Sequence, residues 1–124
     1  MGGSVSTMKT IETIVIPTYA ENRSRWEIRV DLSGRRYVLN ISYNTRMEAW
    51  MMSISDTAGN LLIAGIRLLP NVRLLKKYRA SSPMLPPGEL VLLDVEGRPE
   101  TAVVTRSNLS SRFALTYMVI TEEA

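Results

Sequence analysis

The side chains most often used for acid–base catalysis and metal binding are missing from this sequence. It contains no histidine and no cysteine, which removes the commonest general base, the thiolate nucleophile and the usual nitrogen and sulfur ligands of metals. Serines are plentiful, but a Ser–His–Asp triad cannot form without histidine. The chain also lacks the GxGxxG and Walker phosphate-binding motifs. We therefore predict no catalytic, cofactor-binding or metal-ligating residues.

Three carboxylates remain as candidates for acid–base chemistry. Asp94 and Glu96 lie at a predicted turn, and Asp56 opens another. Paired carboxylates act as acid and base in some hydrolases, so a small enzyme with a carboxylate site is one alternative. Aspartate at such positions usually stabilises a turn by accepting hydrogen bonds from nearby backbone N–H groups, and this is the interpretation that we adopt.

Aromatic residues raise the alternative of an OB-like module that binds single-stranded nucleic acid. The candidates for stacking on bases are Trp26, Tyr37, Tyr43 and Trp50. Arg25, Arg29 and Arg36 would supply positive charge. However, the alternation of the sequence places the four aromatic residues on an apolar face, which predicts a core. Glu27 and Asp31 also interrupt the arginine face, so we do not expect nucleic acid as the partner.

The positive charge of the chain is concentrated in its middle. The net charge is +3, from 15 Lys and Arg against 12 Asp and Glu, yet no acidic residue occurs from Thr57 to Gly88. Such a run usually only solvates a surface, but it can also contact an acidic protein or a nucleic-acid backbone. The candidate partner-contact residues are Arg67, Arg73, Lys76, Lys77, Arg79, Pro83, Leu85 and Pro86.

The residues from Ser24 to Tyr43 predict a β-hairpin with one buried face. Apolar and polar residues alternate strictly on both sides of Ser33-Gly34, a short turn signal. If these two residues form the turn, four facing pairs result: Trp26 with Ile41, Ile28 with Leu39, Val30 with Tyr37, and Asp31 with Arg36. A shift by one residue would move the apolar sets to opposite faces, so the pattern itself fixes the register.

Further strands are expected on both sides of the hairpin. Thr10–Pro17 is rich in β-branched residues, and alternation from Trp50 to Ile54 predicts a strand that follows the hairpin. Leu61–Ile66 is short and mostly apolar, which suggests a strand buried on both faces. With the hairpin, the last two strands would form a meander.

The middle of the chain predicts a short helix and then a loop. Asn71 could cap about two helical turns, in which Val72, Leu75 and Tyr78 would share one face. The proline-rich segment 80–88 cannot pair within a sheet.

The last third of the chain returns to strands. Glu89–Val95 predicts one, Glu100–Thr105 a short extended piece, and Ser107–Ser111 a loop. Arg112–Thr121 is apolar on both faces, so we expect this strand in the middle of a sheet or at a barrel closure, and not at an exposed edge.

These elements predict an all-β fold. About seven short strands with regular turn signals indicate a small antiparallel β-barrel or sandwich with one short helix in the middle. We expect a flexible tail at residues 1–9 and a single domain at residues 10–124. Because no apolar run approaches the roughly 20 residues needed to cross a bilayer, no membrane partner is expected.

The order of these motifs resembles the small plug-type baseplate proteins of contractile-tailed bacteriophages. The similar features follow one another from about Thr10 to Ile120: a first strand ending in Ile16-Pro17, the Asp31-Leu32-Ser33-Gly34 turn, Tyr43-Asn44, Trp50, Asp56 with Gly59-Asn60, Leu61-Leu62 with Gly65-Ile66, Leu74-Leu75 with Tyr78, Gly88-Glu89-Leu90 with Asp94, and Leu115 with Tyr117. Arg35-Arg36 after the turn and the proline-rich Ser82–Gly88 depart from the family's pattern.

The resemblance implies a structural virion protein without enzymatic activity or cofactors. Members of the family lie near the tail axis, around the junction of the tail tube with the central hub or spike. It implies that the chain assembles in the bacterial cytoplasm with other baseplate, tail-tube and hub or spike proteins. A homo-oligomeric ring, a trimer or a hexamer, is the expected assembly.

Overall fold

The computed structural model describes residues 8–123, with side chains from Glu12 to Val119. The predicted tail at residues 1–9 therefore falls mostly outside the described residues. The strands are β1 (Met8–Ile16), β2 (Arg25–Leu32), β3 (Arg35–Asn44), β4 (Ala49–Asp56), β5 (Leu61–Arg67), β6 (Glu89–Asp94) and β7 (Phe113–Glu123). One short α-helix, α1 (Leu109–Arg112), and two 3-10 helices (Lys76–Tyr78 and Pro99–Thr101) complete the regular elements.

The strands form two antiparallel sheets whose apolar faces meet in a sandwich. One sheet has four strands in the order β2-β3-β4-β5, and the other has three in the order β1-β7-β6. A single cluster of buried side chains joins them, with Leu39, Ile41 and Ile54 from the first sheet and Leu92 and Leu115 from the second. The predicted fold class is thus confirmed, and of the two alternatives the sandwich is the one observed.

The predicted hairpin is confirmed with its register. Trp26 pairs with Ile41, Ile28 with Leu39, and Asp31 with Arg36. Ser33 and Gly34 form the turn, and both have positive φ angles, 55° and 82°. That conformation matches the twist of a two-residue hairpin, and glycine adopts it without steric cost. The strand from Trp50 to Ile54 follows as β4 and extends the meander.

The prediction that Leu61–Ile66 is buried on both faces is wrong. β5 is the outer strand of its sheet, and Leu61 is 61% exposed whereas Ile66 is buried. Its pairing with β4 is interrupted by register shifts, and Gly65 has a φ of 75°. The apolar run alone could not distinguish a buried strand from a bulged edge strand.

The helix predicted from Asn71 is also wrong, apart from the 3-10 turn at Lys76–Tyr78. Asn71 has a φ of 57°, in the left-handed region. Its backbone N–H donates to Leu92 O at 2.8 Å, and that of Leu74 donates to Leu90 O at 3.0 Å. The segment therefore runs along the outer edge of β6, because its backbone groups find partners there instead of within a helix.

Two smaller predictions in the last third are also corrected. The piece predicted as extended at Glu100–Thr105 begins instead within a 3-10 helix, Pro99–Thr101. Ser107–Ser111 is not entirely a loop, because α1 begins at Leu109, whose side chain is buried. The strand predicted at the end of the chain is confirmed as β7, which lies between β1 and β6.

The hydroxyl group of Tyr117 connects the two sheets. It lies 2.7 Å from the hydroxyl of Ser33 in the hairpin turn of the other sheet. It also accepts a hydrogen bond of 2.7 Å from the backbone N–H of Gly88, just before β6. A Cβ atom at Gly88 would lie 2.5 Å from Met118 O and from Tyr117 Cζ, so only glycine allows the chain to approach β7 this closely.

We predict that Tyr117→Phe lowers the free energy of unfolding by about 1–3 kcal/mol, because the buried N–H of Gly88 loses its acceptor. Denaturant unfolding measures the change. Tyr43→Phe is the matched control, since the Tyr43 hydroxyl makes no hydrogen bond with the described part of the chain. Equal losses for the two variants would show that the Tyr117 hydroxyl does not connect the sheets.

Asp94 and Arg112 form the most buried ion pair among the described side chains. Arg112 donates from Nε to Asp94 Oδ1 at 3.0 Å and from Nη2 to Oδ2 at 3.2 Å. The carboxylate also accepts the backbone N–H groups of Glu96 and Arg98. The hydrogen bond from Arg112, helped by these N–H groups and by the charge of Arg112, lowers the pKa of Asp94 from 3.8 to about 2. The pair connects the end of β6 to α1.

This ion pair predicts a specific loss of stability in acid. Because the pKa of Asp94 is lower in the folded chain than in the unfolded one, its contribution is complete above about pH 4 and is lost as the pH falls towards 2. We expect Asp94→Asn to be less stable than the wild type at neutral pH and to lose less stability between pH 4 and pH 2. Thermal unfolding as a function of pH measures both effects.

Asp31→Asn is the matched control, because Asp31 pairs with Arg36 at an exposed position where solvent weakens the interaction. Its effect at neutral pH should be smaller than that of Asp94→Asn. Parallel pH profiles of wild type and Asp94→Asn would contradict the assignment.

Candidate functional site

Four of the candidate partner-contact residues surround one groove. Arg67, Arg73, Lys76 and Lys77 line a cavity of about 490 Å³. All four side chains are exposed. Among the side chains that the structure describes, Arg73 is the one of the four that pairs with a carboxylate, since its Nε lies 3.4 Å from Glu89 Oε2. The rim therefore keeps a clear excess of positive charge.

The floor of this basic groove is apolar. Its lining residues of this kind are Ile66, Leu69, Val72, Leu74 and Tyr78. Leu69 and Val72 are each 44% exposed, whereas Leu74 is buried in the core. Large apolar side chains exposed together and rimmed by charge are typical of protein-binding surfaces. The groove thus offers both apolar area and positive charge to a partner.

The shape of the groove follows from how the segment after β5 is held. A parallel bridge joins Pro70 to Leu92 of β6, and Leu74 and Leu75 insert into the core. The Glu89 carboxylate accepts the N–H of Leu75 at 2.7 Å. Because the segment is fixed at these points, Val72 between them is turned out to solvent.

Arg79 has a structural role instead of an exposed one. Its guanidinium donates to Pro86 O at 2.8 Å and to Gly88 O, and it lies 3.8 Å from Glu89 Oε2. These contacts hold the proline-rich loop against the start of β6.

The proline-rich loop is only partly available to a partner. Pro83 and Met84 are exposed, but Leu85 is 7% exposed and Pro86 is buried. The backbone O of Met84 accepts a hydrogen bond of 3.1 Å from the Tyr37 hydroxyl. Leu85 and Pro86 therefore pack inside the chain, and we do not include them in the docking surface.

The aromatic residues form part of the core, as their alternation predicted. Trp26, Tyr37 and Trp50 are buried, and Tyr43 is partly buried. The Trp26 and Trp50 rings lie 5.3 Å apart, and the Arg106 guanidinium lies 5.1 Å from the Trp50 ring centre. An exposed platform for bases is therefore not built from these four residues.

The three candidate carboxylates stabilise turns or take part in an ion pair. Asp56 accepts the backbone N–H groups of Ala58 and Asn60 at 3.0 and 2.8 Å, and Asp94 is held by Arg112. Within residues 8–123, no group of three acidic side chains converges on a metal-sized site. In the same part of the chain, no helix is long and apolar enough to span a membrane.

Sequence reasoning pointed to the basic residues of the groove but missed its apolar residues. Val72 was assigned to the buried face of a helix, and Leu69 was not singled out. The signal that could have revealed them is the adjacent pair Leu74-Leu75. Two neighbouring buried residues fit an irregular segment that wedges into the core better than an amphipathic helix.

Comparison with known proteins identifies the family of this sandwich. No curated protein matches the chain. A family model described as "Cyanophage baseplate Pam3 plug gp18" matches residues 13–121, which include every element from the middle of β1 into β7. Since the match covers most of the sequence, the chain belongs to this family of bacteriophage baseplate plug proteins.

Proposed function

We propose that this chain is a non-enzymatic structural component of a contractile phage tail, which acts by docking to other virion proteins through the basic groove. Its place would be near the tail axis, where the tail tube meets the hub or spike. Family membership supports a role in the baseplate. The basic groove with its apolar floor is the observation that supports docking.

The chemistry of the groove favours an acidic protein segment that carries at least one apolar side chain. Four cationic residues at the rim would attract carboxylates and exclude basic partners. Burial of the exposed part of Leu69 and Val72 would supply affinity that is independent of salt. A nucleic-acid backbone matches the charge alone, and of the four aromatic side chains that would stack on bases, three are buried and Tyr43 is partly buried.

The direct test reverses the charge of the groove in the phage. Lys76→Glu/Lys77→Glu should reduce incorporation of the protein into tails by about tenfold or more, because carboxylates would face an acidic partner. Quantitative immunoblotting of purified particles measures incorporation. Both lysines are exposed, so the thermal stability of the purified variant should match the wild type.

Arg25→Glu/Arg29→Glu is the matched control, because it makes the same charge change at exposed positions of β2, which do not line the groove. This variant should be incorporated normally. Normal incorporation of the Lys76/Lys77 variant, or equal losses for both variants, would contradict docking through the basic groove.

A further inference from the structure

We infer that the partner in the basic groove is a second copy of this chain, which inserts the outer edge of β1, and that this head-to-tail contact builds the ring. The inference rests on the proposed docking function of the groove. It adds the identity of the occupant, the residues that it contributes and the symmetry of the contact.

The groove and β1 lie at opposite edges of one sheet. The order of that sheet is β1-β7-β6. The segment from Pro70 to Leu74 lies along the outer edge of β6, to which it is joined by a β-bridge and backbone hydrogen bonds. The basic groove is formed largely by this segment, so the groove lies at one edge of the sheet and β1 lies at the opposite edge.

Three of the four sheet edges are protected against further pairing. The outer edge of β6 is covered by the segment from Pro70 to Leu74. β2 presents the charged side chains of Arg25, Glu27, Arg29 and Asp31. β5 is bulged and bends at Gly65, and the Ser82 hydroxyl donates to its Leu62 O at 2.9 Å. Bulges, charges and coverage are the usual devices that prevent edge pairing.

The β1 edge has none of these devices within its described side chains after Glu12. Ile14 is 42% and Val15 is 64% exposed, and the backbone of β1 is paired on one side, with β7. Thr13 is exposed as well, so both faces of the strand are uncovered here. An exposed β-branched edge of this kind is a template for contact with another chain.

The two ends match each other in charge and polarity. Glu12 is exposed beside Ile14 and Val15, so the β1 edge offers a carboxylate next to apolar side chains. The basic groove offers cations around exposed Leu69 and Val72. Each surface supplies what the other lacks, and neither is covered by the rest of the described chain.

Contact between opposite ends of one sheet is head-to-tail. Contacts of this type generate a closed ring when the rotation between neighbours closes, and a filament when it does not. A contact between two β1 edges would instead give a two-fold dimer. The assignment of the groove as the acceptor therefore distinguishes a ring from a dimer.

Disulfide crosslinking tests the contact directly, because the natural chain has no cysteine. A full-length Val15→Cys/Val72→Cys protein is oxidised both in concentrated solution and in purified tails. We expect a ladder of dimers, trimers and higher species that stops at the ring number. The single variants Val15→Cys and Val72→Cys should stay monomeric, since each lacks one side of the contact.

Charge exchange provides the specificity control. Two charge reversals are made separately in the double-cysteine protein: Lys76→Glu/Lys77→Glu and Glu12→Lys/Thr13→Lys. Each alone should abolish the crosslinked ladder in solution, because like charges then meet at the contact. An equal mixture of the two should recover it, since each altered surface finds an opposite one. Unchanged thermal stability of both variants shows that the fold is retained.

The outcomes separate this inference from the proposed function. Three outcomes would overturn the head-to-tail contact. These are the absence of a ladder in both preparations, a disulfide-linked dimer of Val15→Cys alone, and a ladder that survives both charge reversals. If the Lys76/Lys77 variant still fails to enter tails in that case, the groove binds a different baseplate protein and the proposed function stands. Normal incorporation of that variant would refute the proposed function itself.

Discussion

The structure depends on covering the apolar face of the four-stranded sheet with the three-stranded one. Trp26, Tyr37, Leu39 and Ile41 point to one side of the hairpin because its alternation is strict, and a shift by one residue would put the apolar sets of the two strands on opposite faces. β7, the central strand of the second sheet, contributes the buried side chains of Phe113, Leu115 and Tyr117 to this cover. This cover also explains why the Tyr117 hydroxyl can reach the hairpin turn. The remaining elements fill the ends of this sandwich.

The sequence predicted the elements whose pattern is determined locally. The hairpin register depends on alternation and a two-residue turn, and both are visible in the residues from Ser24 to Tyr43. The central position of β7 followed from its apolar character on both faces. β5 was mispredicted because a short apolar run looks the same in a buried strand and in a bulged edge strand.

The site was predictable in its charge but not in its shape. The absence of acidic residues from Thr57 to Gly88 is visible in the sequence, and Lys76 and Lys77 from this stretch line the groove. The apolar floor was not visible, because the segment from Pro70 to Leu74 takes its hydrogen bonds from β6. Local helical spacing was overridden by an edge that needed partners. Leu85 and Pro86 were misplaced for a similar reason, since a proline-rich loop can also pack inward.

A sandwich with different ends suits a protein that assembles with others. One end of the second sheet carries cations around an apolar groove, and the other carries an unprotected strand with Glu12, Ile14 and Val15. The ion pair of Asp94 with Arg112 and the hydrogen bonds of the Tyr117 hydroxyl connect the elements of the body between these ends. In the proposed function, the surfaces at the two edges of this sheet make the contacts with other virion proteins.

The most direct test of this account is an electron cryomicroscopy map of the baseplate that resolves side chains around this protein. The account predicts that the groove between Arg67 and Tyr78 is filled by the β1 edge of the adjacent copy, with a carboxylate near Lys76 or Lys77. A map in which this groove faces open solvent, while the protein contacts its neighbours through β2, would contradict it.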